Sequence, residues 1–197
     1  MDYTGCRALS NEEIDILCSA FGGKYRLRDR AIFQIGIFTG FRISEILSLK
    51  ICDVLRNGEV RESVTVNKAW MKGRKESRTT PLHSCARAAI RDWIDSLHGE
   101  NQLAESPLFP RQGTNMRLSP KTYWTILKSA ASKAGVPTER IGTHSMRKSF
   151  ASRMWHSPFV NGDIAKMARL LGHRDPTNTL RYIEFMDGSL EMAVLAA

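Results

Sequence analysis

The hydrophobic period changes twice along the chain, and those changes limit what it can fold into. "SNEEIDILCSAF" opens with Ser10 and, three residues on, Glu13, the capping-box pattern that starts a helix. "YRLRDRAIFQIGIFTG" reads as a second, largely buried helix closing at Gly40, and "RISEILSLKICDV" as a third, with Ile43, Ile46, Leu47 and Leu49 as its apolar stripe. Then "ESVTVNKAWM" alternates with β-branched residues and "RTTPL" returns after "KGRKES", predicting a small antiparallel hairpin or three-stranded sheet with a basic turn. Helical spacing resumes in "SCARAAIRDWIDSL" and in "LSPKTYWTILKSAASKAG", where Ser119 is placed to cap, Pro120 to start and Gly135 to end a helix. "THSMRKSFASRMW" and "NGDIAKMARLLG" predict two more short helices. Asp175 and Pro176 supply a cap and a first-turn proline, which puts Tyr182 about two turns into a last helix. The expected class is mainly α with a small antiparallel β-sheet (α+β), built as one unit over 1–197.

Charge narrows the partners. There are 29 Lys+Arg against 20 Asp+Glu, a formal net charge of +9. A surplus of that size suits a polyanion, nucleic acid before an anionic membrane. The opening "MDYTGCRALS" has no apolar core of a signal peptide, and no stretch approaches the roughly 18 apolar residues of a membrane span. Cys6, Cys18, Cys52 and Cys85 are scattered without a C-x-x-C pair, as expected of reduced thiols. His83 and Cys85 lie close together but find no second ligand pair, so no metal or other cofactor is expected. The expected location is the cytoplasm, in association with the nucleoid, with no membrane partner.

Several polar residues fall where a helix start or a buried face makes them costly. Arg42 follows "TGF", which closes one helix, and opens the next. His144 and Arg147 stand three apart, on one helix face if the segment is helical. That pair could face one ligand or be an ordinary surface pair capped by Thr143. Lys72, Arg74, Lys75 and Arg78 crowd into seven residues of the predicted hairpin. Such density suits a phosphate backbone, and equally a solvated turn. His173 and Tyr182 add an imidazole and a phenol. Arginine forks match the nonbridging oxygens of a phosphodiester, and fixed cations there stabilise the extra charge of attack. A phenol with its ordinary pKa of about 10 is a weak nucleophile, and surrounding cations favour the phenolate. Attack would leave a covalent phosphotyrosine, and a lysine on the hairpin could protonate the leaving sugar oxygen.

In that order the segments resemble the tyrosine recombinase (phage integrase) family, from about Leu9 to Phe185. "TGFRISEILSL" resembles the family's first arginine box, which implies a catalytic Arg42 supported by Glu45. "HSMRKSFAS" resembles the H-x-L-R box and implies His144 and Arg147, with Met146 in place of leucine and Lys148 where the family often has histidine. "LLGH" implies His173, "TNTLRYIEF" implies the nucleophile Tyr182, and the lysine before "RTTPL" implies Lys72 as general acid, with Lys75 the alternative. The resemblance further implies the recombinase catalytic-domain fold. It also implies cleavage and rejoining of double-stranded DNA through a 3′-phosphotyrosyl link without ATP or metal, as in integration, excision or inversion. The readings set against it are a type IB topoisomerase and a DNA-binding regulator of the same fold that has lost the chemistry.

The expected domain plan is a single catalytic domain with no upstream core-binding domain, either as a fragment of a longer recombinase or like the short stand-alone recombinases that invert fimbrial promoter segments. Such a half-clamp is expected to act as a homo-oligomer on DNA, a tetramer, with an accessory DNA-bending protein as a possible helper. The tail, 187–197, is apolar enough to dock on a neighbouring protomer or on its own domain. Candidate DNA-contacting residues are Asn115, Arg117, Lys121 and Tyr123 around one helix start, Arg74, Lys75 and Arg78 in the hairpin, and Arg174 beside His173. They would either read base edges or hold phosphates.

Overall fold

The computed structural model describes residues 5–70, 77–97, 103–173 and 175–184. Its centre is the helix α2 (Arg26–Thr39), where Ala31, Ile32, Phe33, Ile35 and Ile37 are wholly buried. "AIFQIGIF" is apolar on every side, so this helix must be surrounded. α1 (Asn11–Ala20), α5 (Ser84–Asp95) and α7 (Thr143–Trp155) pack around it. Gly36 admits α7: a Cβ there would stand 2.8 Å from Met146 Sδ. The Ser10–Glu13 capping box of α1 forms as expected, with Glu13 N donating to Ser10 Oγ at 3.2 Å and Ser10 N to Glu13 Oε2 at 2.9 Å.

The predicted third helix is two short ones, α3 (Ile43–Ile46) and α4 (Ile51–Val54). Long-range backbone pairing breaks it. Leu49 O accepts from Leu108 N at 2.8 Å and Ile51 N donates to Ser106 O at 3.1 Å, which takes groups a continuous helix would use internally. Among the described residues the strands form two separate antiparallel pairs, and the second of them is the hairpin alternative that the sequence offered. β1 (Leu55–Arg56) and β2 (Glu59–Val60) flank a turn in which Asn57 and Gly58 both have positive φ, an Asn-Gly hairpin signal the sequence carries and the expectation passed over. β3 (Ser63–Val66) and β4 (Arg78–Pro81) pair Val64 with Thr80 and Val66 with Arg78.

α6 (Pro120–Lys133) has Ser119 as its cap and Pro120 at its start, as expected. α7 runs 13 residues, the whole of the stretch expected, and its cap is Gly142 rather than Thr143. α8 (Ile164–Leu171) ends at Gly172, whose φ of 68° is left-handed, and α9 (Pro176–Glu184) follows after Asp175 Oδ1 accepts from Thr177 N at 2.9 Å. Phe150, Ala151, Val160, Met167 and Leu171 form a second small core between α7 and α8, and Tyr182 packs against it. Tyr182 therefore lies on α9 beside the helix that carries Arg147.

Candidate active site

Arg147 is the hub. It is 1% exposed, and it is held by two backbone carbonyls and an imidazole. Its Nη1 donates to Gly40 O and its Nη2 to Leu171 O, each at 2.5 Å, and Nη2 lies 3.0 Å from His173 Nε2. The guanidinium thus ties together the ends of α2 and α8, whose last carbonyls need donors. Burial lowers its pKa first and nearby Arg42 adds to that, while Tyr182 and Glu45 pull it back up. Gly40 is held to glycine twice over: its φ is 62°, and a Cβ would run into the Phe150 ring.

His173 is oriented from its other side by Thr179, whose Oγ1 is 2.9 Å from Nδ1. A guanidinium only donates, so Nε2 accepts and Nδ1–H donates to Thr179 in this arrangement. Thr179 is fully buried on α9, the helix that also carries Tyr182. The rings of His173 and Tyr182 meet edge-on at 5.5 Å between centroids.

Arg42 caps α3 and is clamped by Glu45, which is wholly buried. Glu45 Oε2 accepts from Arg42 N at 2.8 Å and Oε1 from Arg42 Nη1 at 2.9 Å. Its third donor is Arg78 Nη2 at 3.4 Å. This corrects the expectation for Arg78. It is not a DNA-facing residue of the turn but a buried cation, 7% exposed, stacked 4.4 Å from the Phe41 ring and donating to Leu170 O at 2.8 Å. Strand register explains it. Arg78 stands opposite the buried Val66, so it points inward with that face.

His144 sits on the first turn of α7 and its ring reaches solvent. Desolvation pushes its pKa down, and Arg147, Arg42 and Lys148 push it further. The structure therefore gathers Arg42, Glu45, His144, Arg147, His173 and Tyr182 from α3 and its cap, from α7 and α9, and from the loop after α8 into a single cluster. Lys72, Arg74, Lys75, Arg174 and the 187–197 tail lie outside the described residues.

Among the DNA-contact expectations, Asn115, Arg117 and Lys121 are exposed on the loop before α6 and on its first turn. Tyr123 is a correction. It is fully buried and its hydroxyl donates to Asp29 O at 3.1 Å, with burial raising its pKa well above the ordinary value. In α6 it falls on the face that carries Leu127 and Ala130, four and seven residues on, so the core claims it. Sequence reasoning also missed Thr179 and the Gly40 carbonyl. Neither has a local signal, because each partner is brought by a different element. His83 is structural here, accepting from Cys85 N at 3.2 Å and stacked on Phe38 at 4.2 Å. Among the described residues no helix is long and apolar enough to cross a membrane.

The family model "Phage integrase family" matches residues 7–187. The chain belongs to the phage integrase family. Curated family members resemble it over most of its length. Tyrosine recombinase XerD of Rhizobium meliloti (strain 1021) is 33% identical over 170 residues, 84% of this chain and 50% of that protein. Tyrosine recombinase XerA of Pyrococcus furiosus is 33% identical over 191 residues, 95% and 60% respectively. The chain thus spans between half and three fifths of these relatives. Solved structures share the fold. A XerA recombinase superposes with a TM-score of 0.74 at 23% identity, covering 98% of this chain and 66% of that one. A XerH recombinase bound to a palindromic difH substrate in a post-cleavage complex superposes with 0.73 at 24% identity, covering 95% and 52%. The family's recombinase catalytic-domain fold, mainly helical with small antiparallel sheets, is the one expected from the sequence.

Proposed function

We propose that this chain is the catalytic part of a site-specific DNA recombinase, and that Tyr182 forms a covalent 3′-phosphotyrosine with the strand it cuts. The observation that carries the reading is the bonded run from Gly40 through Arg147 and His173 to Thr179, with the Tyr182 ring against it. It joins the Arg147 guanidinium, the His173 imidazole and the Tyr182 phenol from segments far apart in sequence, with the Arg42 guanidinium near enough to act on Arg147 electrostatically.

In this reading the Tyr182 oxygen attacks phosphorus as its proton passes to water, and the P–O5′ bond breaks. The departing 5′-oxygen takes a proton and becomes a free hydroxyl. Lys72 is assigned that proton transfer by the resemblance, with Lys75 the alternative. Arg42 and Arg147 hold the nonbridging oxygens, where charge accumulates. A phosphate arriving there displaces His173 Nε2 from Arg147. With Nε2 protonated, that nitrogen becomes a third donor, steered by Thr179. His144 is placed to donate alongside. Glu45 acts through Arg42 and touches no substrate. Rejoining is the same sequence reversed by another strand's 5′-hydroxyl.

Double-stranded DNA is the partner, supported by the net charge of +9 and by the DNA complexes among the structural neighbours. Exposed Asn115, Arg117 and Lys121 would contact it. Assembly into a homo-tetramer on paired sites, with or without a DNA-bending helper, completes the proposal.

Covalent trapping tests it. End-labelled nicked duplexes from the DNA flanking the gene are mixed with the protein and quenched in SDS. An SDS-stable adduct at a 3′-phosphate is expected, lost in Tyr182→Phe while duplex binding is retained. An adduct that survives Tyr182→Phe would remove the nucleophile assignment. Binding without any adduct across the flanking DNA would favour a regulator.

A further inference from the structure

Lys148 follows Arg147 in α7 and stands four residues after His144, so all three share a helix face. It is half-buried, and its Nζ lies 5.9 Å from the centroid of the Tyr182 ring. The chain entering α1 runs close to it. Arg7 N donates to Arg140 O at 2.8 Å, Arg140 Nε to Gly5 O at 3.1 Å, and Leu9 N to Ser149 Oγ at 2.8 Å. That strap brings Gly5 within reach of the ammonium, a Cβ there standing 3.8 Å from Nζ. A four-carbon stem is ordinarily free to swing. Here its charged end lies close to both the strap and the Tyr182 ring.

We propose that Lys148 is a positioning residue for Tyr182, a cation held at the phenol ring that strengthens its grip as the ring gains negative charge during attack. The inference rests on the reading of Tyr182 as nucleophile and deepens it. An aromatic ring attracts a cation through its negative face, and a phenol losing its proton attracts it more. The attraction is therefore larger in the transition state than in the resting protein, and only that difference changes a rate. His173 meets the same ring edge-on and is already committed to Arg147 and Thr179. Lys148 is the cation at that ring which the proposed mechanism leaves without a part. Burial lowers its pKa and Arg140 adds to that, while Cys6 opposes, so the strap also sets the electrostatics around this ammonium.

The test compares native protein, Lys148→Met, Lys148→Gln and Lys148→Arg. Three quantities are measured: affinity for the nicked duplex, single-turnover rate of adduct formation, and thermal unfolding midpoint. Lys148→Met and Lys148→Gln are expected to bind the duplex within about twofold of native and to form adduct about 3- to 30-fold more slowly, the kinetic equivalent of one partly desolvated cation–π contact. Lys148→Arg is expected to recover most of the rate. Three results would overturn the inference: neutral variants as fast as native, Arg as slow as Met, or a rate loss that tracks lost affinity or lost folding. The two readings fail differently. An adduct that depends on Tyr182 but not on Lys148 removes only this inference, whereas an adduct indifferent to Tyr182→Phe removes both.

Discussion

Glu45 makes a quantitative claim that can be refuted. Its carboxylate is wholly buried and accepts from Arg42 N, Arg42 Nη1 and Arg78 Nη2. Arg78 is 7% exposed, so Glu45→Ala takes a carboxylate away from a buried guanidinium. Breaking a buried ion pair by removing one partner costs about 3–5 kcal/mol. The Arg42 side adds little to stability, since that side chain is 31% exposed and water replaces the lost contact. At about 2–4 °C per kcal/mol for a domain of this size, the melting point should fall by roughly 6–20 °C. Urea unfolding of Glu45→Ala, read by circular dichroism and intrinsic fluorescence, measures the loss directly. The double variant Glu45→Leu/Arg78→Met is the informative control. Replacing both charges with apolar groups should return most of the stability. It should not return cleavage, because Arg42 has still lost the carboxylate that aims it. A loss below about 1 kcal/mol in Glu45→Ala would refute the buried-pair reasoning. A double variant that cleaved at the native rate would refute the role given to Glu45.

Two further outcomes follow from the geometry. Gly40→Ala is expected to destabilise by about 1–3 kcal/mol, because φ of 62° and the Phe150 ring both oppose a Cβ. It should also slow cleavage by shifting the carbonyl that holds Arg147, and a native-like urea midpoint would contradict this. The depressed pKa of His144 means that folding favours its neutral form. Its contribution to stability is then fully present above the unfolded value of about 6.5 and declines as pH falls from there toward the folded value. His144→Asn should flatten that part of the stability–pH curve, and an unchanged slope would show that His144 is not the group responsible.

Local chemistry made much of this protein legible without coordinates. The Ser10–Glu13 box, Gly40, Ser119–Pro120, Gly172 and Asp175–Pro176 each mark a helix end by a rule that acts within a few residues, and the structure ends its helices there. The alternation of β3 was equally plain. The misreadings share a cause. The helix expected over Arg42–Val54 broke because Leu49 and Ile51 pair with Ser106 and Leu108, and no local pattern announces a partner so far along the chain. Tyr123 and Arg78 looked polar and available, but their faces of α6 and β4 turn inward.

The sequence by itself determined the element types, the basic charge and the ordered motifs that point to the phage integrase family, because each of these is carried by neighbouring residues. Tertiary structure alone decided that Arg78 would pair with Glu45, that Thr179 would steer His173, and that Lys148 would lie at the Tyr182 ring. A hydrogen bond or ion pair forms between atoms about 3 Å apart, and only packing brings α3, α7, α9 and β4 to that separation.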